Sequence, residues 1–276
     1  MIYRVNLTVT PLHNVVLPTL SSKVIKYLIA SQQFLPELKQ LVLTEDKYKP
    51  IFISNLRDNE RIFLDKERGV KANTELKAFV SFYSETVPPT FASRGGIYNT
   101  PYGKFAINID NIKIIDLSEI SKEIEKNIDK NIKATFKTPV VLSPKLFLPP
   151  SLKDKFVNIS NIITTLPPPG LISAYAYNLY CSILGKRIIE EKEFKLATLV
   201  NGLSIVTSYN MRPLTVDIGK NRKNRGAVGW IEFDIVYEKL KRKVMKYLLV
   251  ASYLGLGKGR GIGLGETEIS FLSKKI

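Results

Sequence analysis

The sequence predicts an α+β protein made of two tandem ferredoxin-like (RRM-like) βαββαβ domains with a C-terminal glycine-rich loop. Two observations lead to this prediction. Each half of the chain reads as strand, helix, strands, helix and strand, and the 276 residues suit two domains of ordinary size better than one. We therefore expect an N-terminal domain over residues 1–132 and a C-terminal domain over residues 133–276, with the glycine-rich loop at 255–265.

The first half begins with alternating apolar residues, which predict a strand from Ile2 to Pro11. A helix follows, for which Ser21 or Ser22 is the expected N-cap. A charged amphipathic helix, SEISKEIEKNIDKNI, should close this domain. Between the two helices, alternation predicts strands at YKPIFISNL, RIFLD and TELKAFVSFYS and a hairpin or long strand at GIYNTPYGKFAINIDNIKIIDL.

The second half opens with a strand at IKATFKTPVVL and continues through a loop-rich, proline-containing passage. A strong helix, LISAYAYNLYCSILGK, should end at Gly185, and we interpret EFKLATLVNGLSIVTSYN as another helix. A last helix from about Tyr237 to Tyr253 leads into the glycine segment. The strands predicted here are RPLTVDIG and AVGWIEFDI, which flank the basic segment KNRKNRG, and the terminal ETEISFLS.

The net charge is +16, from 41 Lys and Arg against 25 Asp and Glu. Such an excess indicates a polyanionic partner, most often a nucleic acid and less often an anionic membrane surface. Lysine enrichment also occurs in heat-adapted proteins, but these usually add glutamate alongside lysine, and here the acids lag behind. Because no run of eighteen apolar residues occurs, the sequence predicts no membrane-spanning segment.

The chain starts directly as a strand, without the layout of a signal peptide, and a lone Cys181 cannot form an internal disulfide. These features predict a reducing, cytoplasmic setting. With one histidine and one cysteine, the sequence contains no His, Cys and carboxylate cluster of metal-ligand spacing. We therefore expect no metal and no other cofactor.

Glycine occupies every second position from Gly255 to Gly265 in YLGLGKGRGIGLGETEI. A P-loop is excluded because Gly259, rather than Ser or Thr, follows Lys258, and a G-x-G-x-x-G fingerprint fails in every register. Both of those loops also run from strand to helix, whereas this one runs from helix to strand. The segment is therefore not a nucleotide-binding loop of either kind.

Glycine permits positive φ angles and close approach of a ligand, and successive N–H groups can form a concave anion site. With two added cations, such a loop suits an RNA backbone. The alternative is a flexible connector packed on the sheet. The RNA-binding residues predicted in this loop are Gly257, Lys258, Gly259, Arg260 and Gly261.

The string GLGKGRGIGLG resembles the C-terminal motif G-h-G-x5-G-h-G of the RAMP superfamily of CRISPR-associated proteins. It also has the place of that motif, between the last helix and the last strand. The opening strand, the helix in LPTLSSKVIKYL and the strand in YKPIFISNL are similar to the N-terminal half of CRISPR repeat-processing endoribonucleases. In layout, the resemblance extends over the whole chain.

That resemblance implies a metal-independent endoribonuclease, which cuts CRISPR precursor RNA within its repeats to give guide RNAs. The 2′-OH attacks the neighbouring phosphate, which yields a 2′,3′-cyclic phosphate and a 5′-OH. The implied partner is repeat RNA that is single-stranded or weakly structured. A homodimer and a hand-off of the product to a CRISPR effector complex are both left open. Two alternatives stay open: a non-catalytic RAMP-type subunit that coats guide RNA, and a general basic nucleic-acid scaffold.

Many members of the family carry a histidine just before the strand that is YKPIFIS here, but this chain reads LTEDKYKP at that place. The only histidine, His13, is interpreted as a turn or rim residue. Lysines are the natural substitutes, and the predicted catalytic pair is Lys26 and Lys49, with Lys23 and Lys47 as RNA-binding neighbours. Alternatively, all four lysines only solvate a helix and a strand edge.

A lysine titrates near ~10.4 and is a poor base at neutral pH, but crowding by other cations lowers its pKa. Cations aimed at the phosphorane would also stabilise its charge. In the basic segment KNRKNRG we predict Arg225 as a bidentate phosphorane clamp. Lys220, Arg222 and Lys223 are predicted to bind RNA, with a solvated hairpin tip as the alternative for Lys220 and Lys223.

Overall fold

The structure, a computed structural model, describes residues 1–59, 61–86, 95–156, 158–159, 162–219 and 222–274. The strands are β1 (Ile2–Pro11), β2 (Val15–Leu17), β3 (Ile51–Ile53), β4 (Arg57–Asp58), β5 (Arg61–Ile62), β6 (Arg68–Val70), β7 (Leu76–Tyr83), β8 (Gly96–Thr100), β9 (Gly103–Ile115), β10 (Asn131–Val140), β11 (Ser204–Gly219), β12 (Arg222–Ile235) and β13 (Thr267–Leu272).

The α-helices are α1 (Ser22–Ala30), α2 (Lys39–Leu43), α3 (Leu117–Asn127), α4 (Pro150–Lys153), α5 (Pro169–Ile183), α6 (Glu190–Leu203) and α7 (Glu238–Leu254). Among the described residues, short 3-10 helices lie at Pro36–Leu38, Pro144–Phe147 and Arg260–Ile262. Within the described part of the chain, no helix is both long enough and apolar enough to cross a bilayer.

The chain forms two compact units, and neither is a single stretch of sequence. The first unit contains Met1–Ile115, Thr215–Asn224 and Gly259–Gly263, and the second contains the rest of the described chain. The centre of the glycine-rich loop thus belongs to the unit built by the N-terminal half. The boundary between residues 132 and 133 remains a prediction.

The sheet of the first unit has the order β5-β4-β7-β1-β9-β8, and β3 also pairs with β7. Central β1 is antiparallel to both neighbours, with Val5 opposite Val80 on β7 and Ile112 on β9. The order β3, β7, β1, β9 is that of a ferredoxin-like sheet, in which the first strand lies between the third and the fourth. Alternate β1 residues, such as Val5 and Leu7, join the core.

The sheet of the second unit has the order β11-β12-β10-β13. Its first strand, β10, is antiparallel to both β12 and β13, so the order again is the ferredoxin-like one. α5 packs against α6 and α7, and its side chains are largely buried. The predicted fold class, two ferredoxin-like domains in one α+β chain, is confirmed.

Helix α3 occupies a different place from the predicted one. The charged helix was expected to close the first domain, but α3 packs against α7 in the second unit, where Arg242 donates a hydrogen bond to Glu125. In the first unit, β7 leads through β8 into β9 as a hairpin. An amphipathic stripe predicts that a helix packs somewhere, but does not identify the surface that it covers.

Three further elements differ from the sequence prediction. The helix expected at EFKLATLVNGLSIVTSYN ends at Leu203, and its second half opens β11, because the run from Ile205 to Tyr209 is rich in β-branched and aromatic residues. Ser21 is the N-cap of α1, but its hydroxyl donates to the Phe63 carbonyl instead of capping the helix. The strand expected at YKPIFISNL is also shorter, because only Ile51–Ile53 pair with β7.

Candidate active site

Helix α1 positions the first two candidate lysines. Its buried apolar side chains pack into the core of the first unit and leave Lys23 and Lys26, one turn apart, half-buried at the surface. Burial and, to a lesser extent, the charge of Lys23 lower the pKa of the Lys26 ammonium. The two residues thus share a helix face, as the sequence predicts, and Lys26 lies partly out of water.

Lys49 lies just before β3, after the short helix α2. Its Nζ donates hydrogen bonds to the carbonyl oxygens of Val42 at 2.6 Å and Thr44 at 3.2 Å, at the C-terminal end of α2. Burial lowers the pKa of the Lys49 ammonium, and the charges of Lys26 and Arg260 lower it further, while Asp46 raises it. The electrostatic coupling to Lys26 agrees with the expectation that these lysines lie in one cluster.

Arg260 is the only charged side chain in the part of the glycine-rich loop that belongs to the first unit, and it is 4% exposed. Its Nη2 donates to the Lys49 carbonyl at 2.9 Å, while Nη1 is buried and has no hydrogen-bond partner among the described residues. Burial lowers the pKa of Arg260 to about 10, although Tyr48 and Asp46 oppose this shift. The guanidinium therefore stays charged at neutral pH and lies behind Lys49.

Asn55 connects α1 to the same loop. Its Oδ1 accepts the backbone N–H of Ser22 at 3.2 Å, and its Nδ2 donates to the carbonyl of Gly263 at 2.8 Å. The side chain is completely buried. Sequence reasoning missed this residue, and the one available signal was a polar amide two residues after the apolar strand in IFISN.

Two glycines approach the lysines closely. A Cβ on Gly261 would lie 3.3 Å from Lys49 Cε and 3.7 Å from its Nζ, so the loop backbone contacts this side chain. A Cβ on Gly219, at the end of β11, would lie 3.1 Å from Lys23 Nζ. Within the first unit, the structure therefore brings together Lys23, Lys26, Lys49, Arg260 and Gly261.

The other predicted residues are more dispersed. Lys47 is exposed, with its ammonium 4.9 Å from the ring centroid of Tyr48, while Arg222 and Lys223 are exposed at the start of β12 in the first unit. Arg225 is exposed on β12 and belongs to the second unit. Lys220 lies outside the described residues.

The glycine-rich loop is packed rather than solvent-exposed. Five of its six glycines, all but Gly261, have positive φ angles. Gly257 and half-buried Lys258 belong to the second unit, where the Lys258 N–H donates to the Val141 carbonyl, while half-exposed Gly259 belongs to the first. Burial of the backbone at Gly257 and Gly261 supports the packed-connector interpretation at these two positions.

His13 lies exposed between β1 and β2, and its Nε2 would be 3.3 Å from a Cβ placed on Gly103. Across the described ranges, no group of three or more His, Cys, Asp and Glu side chains is arranged to hold a metal ion. The chemical groups that cluster in the first unit are therefore amines and a guanidinium. A cluster of this kind can stabilise a polyanion and, where an amine loses its proton, can act as a base.

Comparison with known proteins places both halves of the chain in one family. The family model for the Cas6 N-terminal domain matches residues 3–115, and that for the CRISPR-associated endoribonuclease Cas6 matches residues 135–267. The chain is 44% identical over 279 residues to the CRISPR-associated endoribonuclease Cas6 2 of Saccharolobus solfataricus, across 98% of this chain and 96% of that protein. Cas6 1 of the same organism is 42% identical over 284 residues, with 100% and 98% covered.

Solved structures show the same fold at much lower sequence identity. A Cas6 product complex superposes with a TM-score of 0.67 at 16% identity, over 98% of this chain and 100% of that one. Cas6 of Thermus thermophilus gives a TM-score of 0.63 at 15% identity, with 98% of each chain covered. The fold is thus retained where little sequence identity remains.

Proposed function

The chain belongs to the Cas6 family of CRISPR-associated endoribonucleases, and we propose that it cleaves CRISPR precursor RNA within the repeats without a metal ion. The products would be guide RNAs with 2′,3′-cyclic phosphate and 5′-OH ends. This function would place the protein with its transcripts in the cytoplasm. The observation that carries the proposal is the cluster of Lys26, Lys49 and Arg260, in which the pKa of all three groups is lowered.

The cluster suits the three tasks of RNA transesterification. One amine, once neutral, accepts the proton of the 2′-OH, whose oxygen then attacks the adjacent phosphorus. The remaining ammonium stabilises the phosphorane, and a protonated amine donates a proton to the 5′-oxygen as the P–O5′ bond breaks. Lys26 and Lys49 are the groups proposed for these steps, because both are half-buried and both have a lowered pKa.

The remaining predicted residues are proposed to hold the RNA. Exposed Lys47, Arg222 and Lys223 and half-buried Lys23 would contact phosphates, and Arg225 is proposed to clamp the phosphorane. Lys258 is proposed to bind RNA as well, and Lys220 keeps that role as a sequence prediction. Exposed cations of this kind supply affinity for any RNA of the right shape, so the repeat sequence must be read by other contacts.

A single-turnover assay tests the proposed reaction. Excess protein is mixed with a synthetic repeat RNA in chelator, and the ends are identified by their response to phosphatase and kinase. We expect cleavage at one site, with a 2′,3′-cyclic phosphate and a 5′-OH. A requirement for divalent metal, or a 5′-phosphate product, would contradict the mechanism.

Variants then separate chemistry from binding. Lys26→Ala and Lys49→Ala should each slow cleavage about a hundredfold or more, with a smaller effect on RNA affinity. Exposed Lys66, in the turn between β5 and β6, provides the matched control Lys66→Ala, which should cleave at the wild-type rate. Equal losses of rate and affinity would assign the two lysines to docking.

One observation supports a second candidate function. The segment before β3 carries lysines where many family members carry a histidine, and this is the departure expected of a non-catalytic RAMP-type subunit. Such a subunit would bind repeat RNA tightly and leave it intact, and Lys26→Ala and Lys49→Ala would leave that affinity unchanged. The single-turnover assay therefore decides between the two functions.

A homodimer is proposed through β11. This 16-residue strand lies at the edge of its sheet, and most of its residues are exposed, including the apolar side chains of Ile205, Val206 and Tyr209. Its first half, Ser204–Met211, has no charged residue, whereas the whole chain carries +16. A second copy would meet little like-charge repulsion along this half of the strand, where two edges can pair antiparallel.

A further inference from the structure

The short turn Arg260–Ile262 is fastened to the rest of the first unit at each end. At one end, Nη2 of Arg260 donates to the carbonyl of Lys49 at 2.9 Å. At the other end, the carbonyl of Gly263 accepts Nδ2 of Asn55 at 2.8 Å. The turn is closed by the N–H of Gly263, which donates to the Arg260 carbonyl at 3.2 Å. Both hydrogen bonds therefore hold one compact turn.

Asn55 also reaches the helix that carries Lys26. Its Oδ1 accepts the N–H of Ser22, the first residue of α1, and Lys26 lies one turn further along that helix. A continuous series of contacts thus runs from α1 through Asn55 and the turn to the backbone of Lys49. The two lysines belong to different elements, and this series joins them.

We propose that Asn55 is a positioning residue of the cleavage site, which fixes Lys49 relative to Lys26 through the turn Arg260–Ile262. The inference rests on the proposed function, because it takes the two lysines as the groups that act on RNA. It deepens that function because it gives a buried amide the role of setting the distance and orientation of the two lysines. The amide itself contacts no substrate. The glycine-rich motif then influences the reaction indirectly, because it positions Lys49 without contacting the RNA at that point.

Both the length and the chemistry of the Asn55 side chain matter. An aspartate has the same shape but no donor, so its carboxylate would face the carbonyl of Gly263 as one acceptor against another. The amide also packs closely against the turn, because a Cβ on Gly263 would lie 2.3 Å from Asn55 Nδ2. The Asn55 amide satisfies the Ser22 N–H and the Gly263 carbonyl together.

The test compares Asn55→Asp and Asn55→Ser with a matched control. Asn127→Asp makes the same chemical change in a different buried amide, which lies on α3. There, Nδ2 donates to the Glu123 carbonyl and Oδ1 accepts a hydrogen bond from Lys130 Nζ. Single-turnover cleavage of a repeat RNA in chelator is measured with protein in excess, at temperatures where circular dichroism shows each variant folded. Both Asn55 variants should cleave about a hundredfold more slowly, because a small displacement of reacting groups has that effect. The RNA Kd and the Asn127→Asp rate should stay close to wild type.

A double variant distinguishes positioning from general destabilisation. If Asn55 acts through Lys49, then Asn55→Asp combined with Lys49→Ala should cleave no more slowly than Lys49→Ala alone. A purely structural role would instead multiply the two losses. The comparison is made with folded protein, so loss of folded molecules does not imitate a loss of rate.

Each other outcome has a defined meaning. Wild-type cleavage by Asn55→Asp, or multiplied losses in the double variant, would overturn the positioning role while leaving the proposed function in place. If neither Asn55 variant folded at any temperature, Asn55 would be a folding residue and the proposal would be wrong. If the wild-type protein left every repeat intact, the proposed function would fail first and this inference with it.

Discussion

A lysine can remove a proton only after its ammonium has lost one, and this requirement decides how a site without imidazole can work. Near a pKa of about 10.4, only a very small fraction of lysine is neutral at physiological pH. Half-burial and neighbouring cations lower the pKa of both Lys26 and Lys49, which increases the neutral fraction of each. An enzyme built on this cluster should be slow at neutral pH and faster as the pH rises.

The pH dependence of cleavage should respond to Asp46, whose charge raises the pKa of Lys49. Asp46→Asn removes that charge but keeps the oxygen that accepts the N–H of Tyr48 at 2.9 Å. The pKa of Lys49 should then fall further. If Lys49 is the base, the rising limb of the pH–rate profile should move to lower pH. Single-turnover rates over a pH series in chelator provide the measurement.

The adjacent exposed residue gives the control for this experiment. Glu45→Gln removes the same charge one position earlier, from a residue that is not among the groups shifting the pKa of Lys49. Its profile should overlay that of the wild type. A profile that does not move in Asp46→Asn, or that moves to higher pH, would mean that another group is the base.

Sequence reasoning predicted part of this cluster and missed the rest for a physical reason. Lys49 could be chosen because it lies in the segment where many family members carry a histidine. Lys26 could be chosen because it shares a face of the first helix with Lys23. Asn55 and the burial of Arg260 depend on contacts across 208 and 211 residues of sequence, which no local pattern encodes. Arg260, which the sequence predicts to bind RNA, lies buried against the backbone of Lys49.

Among the elements, the glycine-rich loop is tightly constrained at Gly265. Gly265 has φ +76°, its N–H donates to the Pro139 carbonyl, and its own carbonyl accepts the N–H of Leu256. A Cβ at this position would lie 1.8 Å from the Leu256 carbonyl oxygen. Both the backbone angle and the available space therefore require glycine there.

Gly265→Ala should reduce the free energy of unfolding by more than about 1 kcal/mol, which lowers Tm by at least about 2–4 °C in a chain of this size. Gly202→Ala is the control, because Gly202 lies in α6 and a Cβ placed on it would have no atom within 4 Å. Alanine in a helix should leave Tm unchanged or raise it. Thermal melts of the three proteins make the comparison, and equal Tm values would show that the loop tolerates side chains.

The basic start of β12 should contribute affinity rather than rate. Arg222→Ala and Lys223→Ala should each weaken RNA binding and reduce the slope of log K against log salt by about 0.7, because one phosphate contact is lost. Cleavage at saturating RNA should not change. Lys195→Ala, an exposed lysine on α6, is the control and should keep the wild-type slope. An unchanged slope in either β12 variant would mean that the substituted residue does not contact a phosphate.

The predicted elements succeeded where one pattern dominates and failed where two compete. The alternation in β1 and β7 and the periodicity of α5 and α7 each predicted the observed element. The segment that becomes α6 and then β11 carries a helical pattern followed by β-branched residues, and the change occurs at Ser204. The nearby Gly202 does not mark this change, because it lies within the helix. Short strands such as β4 were beyond sequence reasoning, because only pairing with β7 and β5 defines them.

At the scale of the whole molecule, the twin ferredoxin-like sheets follow from the order of elements along the chain, which the sequence shows twice. The order of elements does not, however, reveal which segments belong to which unit. Thr215–Asn224 and Gly259–Gly263 complete the first unit although they come late in the sequence. A linear reading assigns neighbouring residues to one domain, so it has no means of detecting such an exchange.

The proposed dimer gives the prediction for the assembled molecule. Light scattering coupled to size exclusion should show a mass near twice the 31.2 kDa of one chain. Tyr209→Glu introduces a charge into the apolar half of β11 and should shift the mass to that of one chain. The control, Val16→Glu, places the same charge on an exposed apolar residue of β2 and should remain dimeric. A monomeric wild type would contradict the proposal.

The late position of Gly259–Gly263 has a consequence during translation. Both amines of the cluster are synthesised first. The guanidinium behind Lys49 follows that lysine by 211 residues, and the carbonyl that Asn55 binds follows Asn55 by 208 residues. A nascent polypeptide that ends before Arg260 therefore lacks the groups proposed to align the amines, however well its first sheet has formed. On the proposed mechanism, the ability to cut would therefore arise only after Gly263 has been synthesised.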